Sequence, residues 1–182
     1  MKYLKDRASN DILKKFGVGF CKVGKYHSRV VIPVKSEWGS AWTARDATGV
    51  LDKKRPKYLN PKGDWANDLL MGWDQYEPGA DLCLVEGPFD VLRMYEHGIP
   101  SVGMLGKELG PGQRSQLLTL PSNTYITILV DPEEKRWTTD NIIAKLSLKF
   151  RNIFIGKLPM GVDPGSSTKK QAQLAIDTAT RI

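Results

Sequence analysis

Acidic side chains follow two short apolar runs, at residues 82–85 and 126–130, and they are the strongest candidates for chemistry. The carboxylates that follow these runs are Glu86, Asp90, Asp131, Glu133 and Glu134. Apolar runs of this length, bounded by turn residues, are typical of buried strands in a parallel sheet. Since ligands bind beyond the carboxyl ends of such strands, we expect the carboxylates to meet at one edge. Because such a cluster repels itself, the sequence predicts a hard divalent cation, such as Mg²⁺, among them.

The elements that must position these carboxylates alternate between strand and helix from residue 82 onward. The predicted strands are 82–85, 101–105, 125–130 and 152–155, and the predicted helices between them are 89–97, 111–118 and 138–150. This order predicts a parallel sheet with right-handed crossovers, and therefore an α/β fold. A weak helix is predicted within residues 166–182, after Ser166-Ser167-Thr168.

The front of the chain has a different pattern, typical of an α+β module. Ser9 is placed to cap a short helix that Gly17 ends. The next predicted elements are strands at 29–34 and 41–47 around a turn at 37–40, and then a loop over 49–63. Pro33 lacks an amide hydrogen, so we expect it at a sheet edge or a bulge.

Charge is divided unevenly along the chain. Residues 1–62 hold 15 Lys and Arg against 5 Asp and Glu, whereas residues 63–182 hold 12 against 15. A basic module of this kind attracts polyanions, although a solvated basic surface explains the charge equally well. We therefore predict three units: a basic module at 1–78, a parallel-sheet domain at 79–165, and a C-terminal helix or tail at 166–182.

Composition excludes several classes of protein. The hydrophobic fraction of 41% and charged fraction of 26% are those of a globular domain, and no apolar run approaches the length of a membrane span. Cys21 and Cys83 stand far apart, and the histidines are His27 and His97, so a zinc site within the chain is not expected. Two unpaired thiols suit a reducing cytoplasm, which is the predicted location.

Four motifs resemble the Toprim domain, which topoisomerases, bacterial-type primases, some nucleases and recombination proteins share. They are Glu86-Gly-Pro-Phe-Asp90, Leu105-Gly106, Asp131-Pro-Glu133 and Leu158-Pro-Met-Gly-Val-Asp163-Pro. The basic segment Pro56-Lys57-Tyr58-Leu59-Asn60 narrows the resemblance, because it is similar to the N-terminal half of bacterial-type (DnaG-like) DNA primase cores. The segments 3–20, 29–33 and 42–45 also resemble that half, so the likeness spans nearly the whole chain in order.

The resemblance implies template-directed synthesis of short RNA primers on single-stranded DNA, with Mg²⁺ or Mn²⁺. It implies Glu86 as general base or metal ligand, and the remaining metal ligands Asp131, Glu133, Asp90 and Asp163. The implied contacts to nucleoside triphosphate or template are Arg29, Arg45, Lys57, Asn60 and Gly106. The family's zinc-binding, template-reading module and its helicase or helicase-docking domain have no counterpart in this sequence. The chain is therefore expected to be a bare catalytic core, either a fragment or a stand-alone protein that borrows those functions from partners in the bacterial or phage-infected cell, as a phage or plasmid primase would.

Two departures from the family pattern keep other functions open. Asp131-Pro-Glu133 replaces the usual Asp-x-Asp, and Asp163-Pro164-Gly165 is one carboxylate short of Asp-Pro-Asp. A degenerate Toprim protein that binds nucleic acid without catalysis is therefore an alternative, as is a Toprim nuclease or topoisomerase-like enzyme that cleaves DNA. Asp90 also has a plain interpretation as a helix cap, and Asp163 as a turn former before proline.

Overall fold

A computed structural model of the chain describes residues 2–5, 7–50, 55–129 and 136–182. Within these ranges the chain forms two β-sheets and the helices that cover them. The helices are α1 (Lys2–Lys5), α2 (Asn10–Lys15), α3 (Trp65–Asp68), α4 (Pro88–Glu96), α5 (Pro111–Leu117), α6 (Arg136–Leu146) and α7 (Lys169–Asp177). The strands are β1 (Gly19–Cys21), β2 (Arg29–Ser36), β3 (Gly39–Asp46), β4 (Tyr58–Leu59), β5 (Leu82–Val85), β6 (Ser101–Gly103), β7 (Tyr125–Ile128), β8 (Asn152–Ile155) and β9 (Thr180–Arg181).

The first sheet is antiparallel, in the order β1-β2-β3-β4, and the predicted hairpin is its centre. β2 and β3 pair without interruption down to Ser36 and Gly39, so there is no bulge. β1 pairs with β2 only as far as Val31, which leaves Pro33 with a partner strand on one side. Pro33 is therefore at the edge of the sheet, as expected for a residue without an amide hydrogen. The predicted loop over 49–63 is wrong at Tyr58–Leu59, because β4 pairs there with β3.

The second sheet has the order β6-β5-β7-β8-β9, and its first four strands are parallel. The predicted α/β fold is confirmed, and β5 and β8 have the predicted bounds. β6 ends two residues earlier than expected, and Leu105 beyond it has a φ of 62°, which is incompatible with a strand. β9 was not predicted; it adds antiparallel to β8 through Thr180 and Arg181.

Local signals explain where the helices begin and end. The Ile12 amide donates to Ser9 Oγ at the start of α2, and Gly17 follows that helix with a φ of 62°. Thr168 caps α7 in the same way, by accepting from the Gln171 amide. A proline opens α4 and α5, at a position where its missing amide hydrogen costs nothing. None of the described helices is long and apolar enough to cross a bilayer.

The two halves share an apolar core. Val30 and Ile32 of the first sheet belong to the same buried cluster as Val91 and Leu92 of α4. A second cluster fills the other side of the parallel sheet, around Leu84. Burial of apolar surface therefore holds the halves together, and the boundary at 78 and 79 stays a prediction.

Buried amides reinforce this contact between the halves. Gln113 of α5 is completely buried, and its Nε2 donates to the carbonyl oxygens of Ala66, Leu69 and Met104. Its Oε1 accepts from the Gly110 amide. Because every polar atom of this side chain is paired, Gln113 fixes the segment around α3 against the parallel-sheet domain.

Candidate active-site cleft

A cleft of about 450 Å³ lies at the carboxyl end of β5, and its lining comes from both halves of the chain. The basic half contributes Arg7, Arg45, Lys57 and Tyr58, and the parallel-sheet domain contributes Glu86, Gly87, Pro88, Phe89, Asp90, Leu105, Gly106, Lys107, Asp163, Pro164, Gly165 and Ser166. Carboxylates that follow β5 therefore face guanidinium and ammonium groups across the same space. Such a cleft suits an anionic ligand that brings its own cation.

Glu86 is positioned by a buried strand. The four residues of β5 are all buried, so the chain emerges from the sheet at Glu86, which is partly exposed in the cleft. The Glu86 carbonyl accepts from the Leu105 amide at 2.8 Å, and Leu105 has a φ of 62°. A left-handed conformation is costly for leucine, so this hydrogen bond and its surroundings must hold the loop that carries Gly106 and Lys107.

Asp90 lies at the start of α4 and lines the cleft. Its Oδ2 accepts from the Gly87 amide at 2.7 Å, so its predicted helix-capping role is confirmed. The pKa of Asp90 is raised to about 7, mainly by burial and also by the nearby carboxylates of Asp163 and Glu86, against the opposing interactions with the Gly87 and Gly165 amides. The cleft therefore crowds three carboxyl groups close enough to repel one another.

Asp163 enters the cleft from a 3₁₀ turn at Pro164–Ser166. Its Oδ1 accepts from the Ser166 amide at 2.7 Å, so the turn-forming interpretation is confirmed. α4 holds this turn through Arg93, whose Nε donates to the Gly165 carbonyl, and through His97, whose Nε2 lies 2.9 Å from the Ser167 carbonyl. The same helix thus places Asp90 beside Asp163.

Gly165 stands where the Asp-Pro-Asp pattern has its second carboxylate, and the space around it is small. A Cβ at this position would lie 2.7 Å from Asp90 Oδ1. Any side chain here would therefore push against Asp90, which the Gly87 amide holds in place. An aspartate at position 165 would therefore clash with Asp90 unless the Asp90 side chain moved.

The basic wall contains two of the predicted contacts. Arg45 lies opposite Tyr58 in the β3–β4 pair, and its guanidinium carbon is 5.0 Å from the Tyr58 ring centroid. Lys57 precedes Tyr58 and is exposed, and its carbonyl accepts from the Asp46 amide. Both side chains line the cleft, so their placement agrees with the sequence; their contacts with nucleotide or template stay predictions.

The prediction for Arg29 is corrected by its position. Arg29 is only 2% exposed, and its Nη1 donates to the carbonyl oxygens of Ala44 and Pro56. Burial, and then the neighbouring Arg55, lower the pKa of its guanidinium. In the structure Arg29 holds the chain before β4 against the sheet, and it does not present its charge to the cleft.

Asn60 and Gly106 differ in how they relate to the cleft. Asn60 lies outside the lining, and its Oδ1 accepts from the Thr43 hydroxyl at 2.8 Å. Gly106 lines the cleft, and a Cβ there would meet no protein atom within 4 Å. No packing within the described chain therefore requires glycine at 106, which is consistent with the predicted close approach of a ligand to the backbone.

Arg7 is a cleft residue that the sequence analysis did not select. It lies between α1 and α2, and its guanidinium carbon is 4.6 Å from the Tyr3 ring centroid and 4.9 Å from that of Phe89. The sequence did contain a signal, because Arg7 ends the segment 3–7 that resembles the lead-in of the primase core. No motif around this single arginine marks it as functional.

Asp131 and Glu133, the predicted metal ligands, lie outside the described residues, as does Glu134. The chain leads toward them from Leu129, whose amide donates to the Leu84 carbonyl next to the end of β5. Within the described ranges no three carboxylate, histidine or cysteine side chains form a group that could hold a metal ion. The oxygen donors of Glu86 and Asp163 suit a hard cation, and Asp131 and Glu133 stay its predicted further ligands.

Comparison with known proteins finds similarity to DNA primases. No family model matches it. The DNA primase of Deinococcus radiodurans is 29% identical over 153 residues, which are 79% of this chain and 26% of that protein. The chain thus spans about a quarter of the length of this curated relative.

Solved structures agree on the fold. The zinc-binding and RNA polymerase domains of the Aquifex aeolicus primase give a TM-score of 0.83 at 23% identity, covering 100% of this chain and 56% of that one. The primase fragment of the bacteriophage T7 primase-helicase gives 0.67 at 17% identity, covering 96% and 72%. The resemblance to DnaG-like primase cores is therefore confirmed, and so is the predicted fold.

Proposed function

We propose that this chain is the catalytic core of a DNA primase, which joins ribonucleotides into short primers on a single-stranded DNA template. The observation that supports this best is the single cleft in which Glu86 and Asp163 face Arg45 and Lys57. Nucleotidyl transfer needs both charges, because the phosphates require cations and the attacking hydroxyl requires a proton acceptor.

The reaction joins the 3′-oxygen of the growing primer to the α-phosphorus of a nucleoside triphosphate and releases pyrophosphate. Glu86 accepts the hydroxyl proton or holds a cation, while Arg45 and Lys57 offset the negative charge of the phosphates. The backbone at Gly106 comes close to the nucleotide. Mg²⁺ or Mn²⁺, held by Glu86 with Asp131, Glu133 and Asp163, would orient the triphosphate and neutralise developing charge.

Asp90 has a supporting role in this proposal. Its carboxyl group accepts from the Gly87 amide, so it is less available as a ligand than the sequence implied. It lies between the start of α4 and the turn that carries Asp163. Direct metal contact by Asp90 stays a prediction.

The proposed partners follow from the same activity. Single-stranded DNA and nucleoside triphosphates are the substrates, and we infer a zinc-binding module and a replicative helicase as further partners. The matched Aquifex structure contains a zinc-binding domain, and the matched T7 protein is a primase-helicase. Other domains or proteins would supply the zinc-binding and helicase functions to this core, in the bacterial or phage-infected cytoplasm.

Primer synthesis tests the proposal directly. The protein is incubated with single-stranded DNA, labelled ribonucleotides and Mg²⁺ or Mn²⁺, with and without a helicase and a zinc-binding module. We expect dinucleotides or longer products, reduced at least about 100-fold by Glu86→Gln because the proton acceptor is lost. Glu77→Gln, at an exposed position before β5, is the matched control and should leave synthesis unchanged.

The other functions give different results in the same set of assays. Metal-dependent nicking of plasmid DNA without nucleotides would identify a nuclease. DNA binding without any binding of Mg²⁺ or Mn²⁺ would identify a non-catalytic protein. Primer synthesis that Glu86→Gln leaves intact would contradict the role proposed for this cleft.

A further inference from the structure

Aromatic rings surround the two arginines of the cleft. The guanidinium carbon of Arg7 lies 4.6 Å from the Tyr3 ring centroid and 4.9 Å from that of Phe89. The guanidinium carbon of Arg45 lies 5.0 Å from the Tyr58 centroid and 6.0 Å from the Tyr3 centroid. We call Tyr3, Tyr58 and Phe89 the aromatic clamp. They come from α1, β4 and α4, which are distant in sequence.

This support leaves the charge of the arginines available. The electron-rich face of an aromatic ring attracts a guanidinium and orients its plane, whereas a carboxylate would also neutralise it. Among the residues that the structure describes, an ion pair joins Arg55 to Asp46, and neither residue lines the cleft. Within the same ranges, no carboxylate forms an ion pair with Arg7 or Arg45. Within the described ranges, two cleft arginines thus share Tyr3 as a neighbour and have no ion-pair partner, so their charge can be met by a bound anion.

Tyr3 is the member of the clamp that contacts both arginines. Its ring packs edge to face on Phe89, with the centroids 5.8 Å apart, so its position is fixed by the start of α4. Its hydroxyl is buried and has no hydrogen-bond partner among the described residues. The ring, rather than the hydroxyl, is therefore what this side chain contributes.

We propose that Tyr3 is a positioning residue, whose ring orients both Arg7 and Arg45 for the triphosphate of the incoming nucleotide. This inference rests on the proposed function and adds a residue to it. Tyr3 does not touch the ligand; it acts through the two guanidinium groups. Phosphate oxygens then receive two planar, pre-oriented donors, which suits bidentate contact.

Nucleotide binding to the full chain tests the proposal. Isothermal titration calorimetry with ATP and Mg²⁺ measures affinity, and inorganic tripolyphosphate with Mg²⁺ isolates the phosphate contribution. We expect Tyr3→Leu to weaken both about fivefold to tenfold, which is the value of a partly buried cation–π contact. Tyr3→Phe retains the ring and should restore affinity to within about twofold of the original protein.

A matched control and a kinetic readout separate positioning from general damage. Tyr125→Leu removes an exposed tyrosine that stacks on Phe154 at the amino end of β7, and it should leave affinity unchanged. In primer synthesis, Tyr3→Leu should raise the KM for ribonucleotides more than it lowers kcat, because the lost contact acts on binding. If Tyr3→Leu loses its circular-dichroism signal of folding, Tyr58→Leu, which removes the second ring over Arg45, must show the same loss of affinity.

The outcomes are distinguishable. Original affinity in a folded Tyr3→Leu protein overturns the role of Tyr3, and so does a Tyr3→Phe protein as weak as Tyr3→Leu. In both cases the primase proposal survives. If the unsubstituted protein binds neither ATP nor tripolyphosphate with Mg²⁺, the proposed function fails and the positioning role fails with it.

Discussion

Asp90→Asn should change how the stability of the metal-free protein depends on pH. In the folded protein the pKa of Asp90 is raised to about 7 from an ordinary value of 3.8, by burial first and by the Asp163 and Glu86 carboxylates next. Between these values the folded state holds a proton that the unfolded state has released. Stability from this group is therefore fully present below about pH 4 and is lost as pH rises through about 7.

The raised pKa of Asp90 sets the magnitude of the effect. The difference between about 7 and 3.8 corresponds to about 4 kcal/mol in the free energy of unfolding. About 3 kcal/mol of this falls between pH 5 and pH 8. Asparagine does not titrate, so the variant should lack this decline. Asparagine keeps an acceptor oxygen for the Gly87 amide, as the protonated carboxyl group does at pH 5, so the substitution should cost little stability there.

Urea unfolding followed by tryptophan fluorescence, at pH 5, 6, 7 and 8 with a chelator present, measures the effect. We expect Asp90→Asn to be about as stable as the original protein at pH 5 and more stable than it at pH 8, by about 3 kcal/mol. Asp177→Asn, which removes an exposed carboxylate that pairs with Gln173 on α7, controls for the loss of one negative charge. Parallel stability curves for the original protein and Asp90→Asn would refute the crowding of carboxyl groups in the cleft.

Three further predictions concern residues that the structure separates by role. Gln113→Leu should lower the free energy of unfolding by about 3 kcal/mol, because it leaves buried carbonyl oxygens and the Gly110 amide unpaired; urea midpoints measure this. Gly110→Ala should prevent stable folding, since its Cβ would lie 2.2 Å from the Asn67 carbonyl oxygen. Gly106→Ala should keep the melting temperature, because its Cβ would meet no protein atom within 4 Å, and it should lower primer synthesis. Equal melting temperatures for the two glycine variants would contradict this packing. Arg29→Met should lower the melting temperature by several degrees while the folded fraction keeps its affinity for ATP and Mg²⁺; a specific loss of affinity would restore the original template-binding assignment.

Sequence patterns predicted the parallel-sheet domain well because its signals are local. The apolar run at 82–85 became β5 with the same bounds, and Gly98, with a φ of 81°, follows α4 where the sequence placed its end. Such residues act through their own backbone preferences or through strand burial, which the sequence carries directly. β4 and β9 were missed because each has two residues and exists only by pairing with a strand already formed.

The two arginines of the basic module show what pattern alone does not settle. Arg29 and Arg45 both lie on strands of one hairpin, yet Arg45 is opposite Val30, and Arg29 is opposite Asp46 on the other face. The alternation of side chains along a strand predicts that Arg29 and Arg45 lie on different faces of the sheet. It does not predict which face the segment before β4 covers. Packing of that segment buries Arg29, and the cleft leaves Arg45 partly exposed.

By itself, the sequence determined the α/β order, the basic front half and the motif that ends β5 in Glu86, since each depends on residue type and local spacing. Only the tertiary structure decided that Asp90 lies against Gly165, that Arg29 is buried, and that the Tyr3 ring contacts two cleft arginines. These outcomes depend on contacts between residues distant along the chain. Such contacts form only when apolar burial has brought the two halves together.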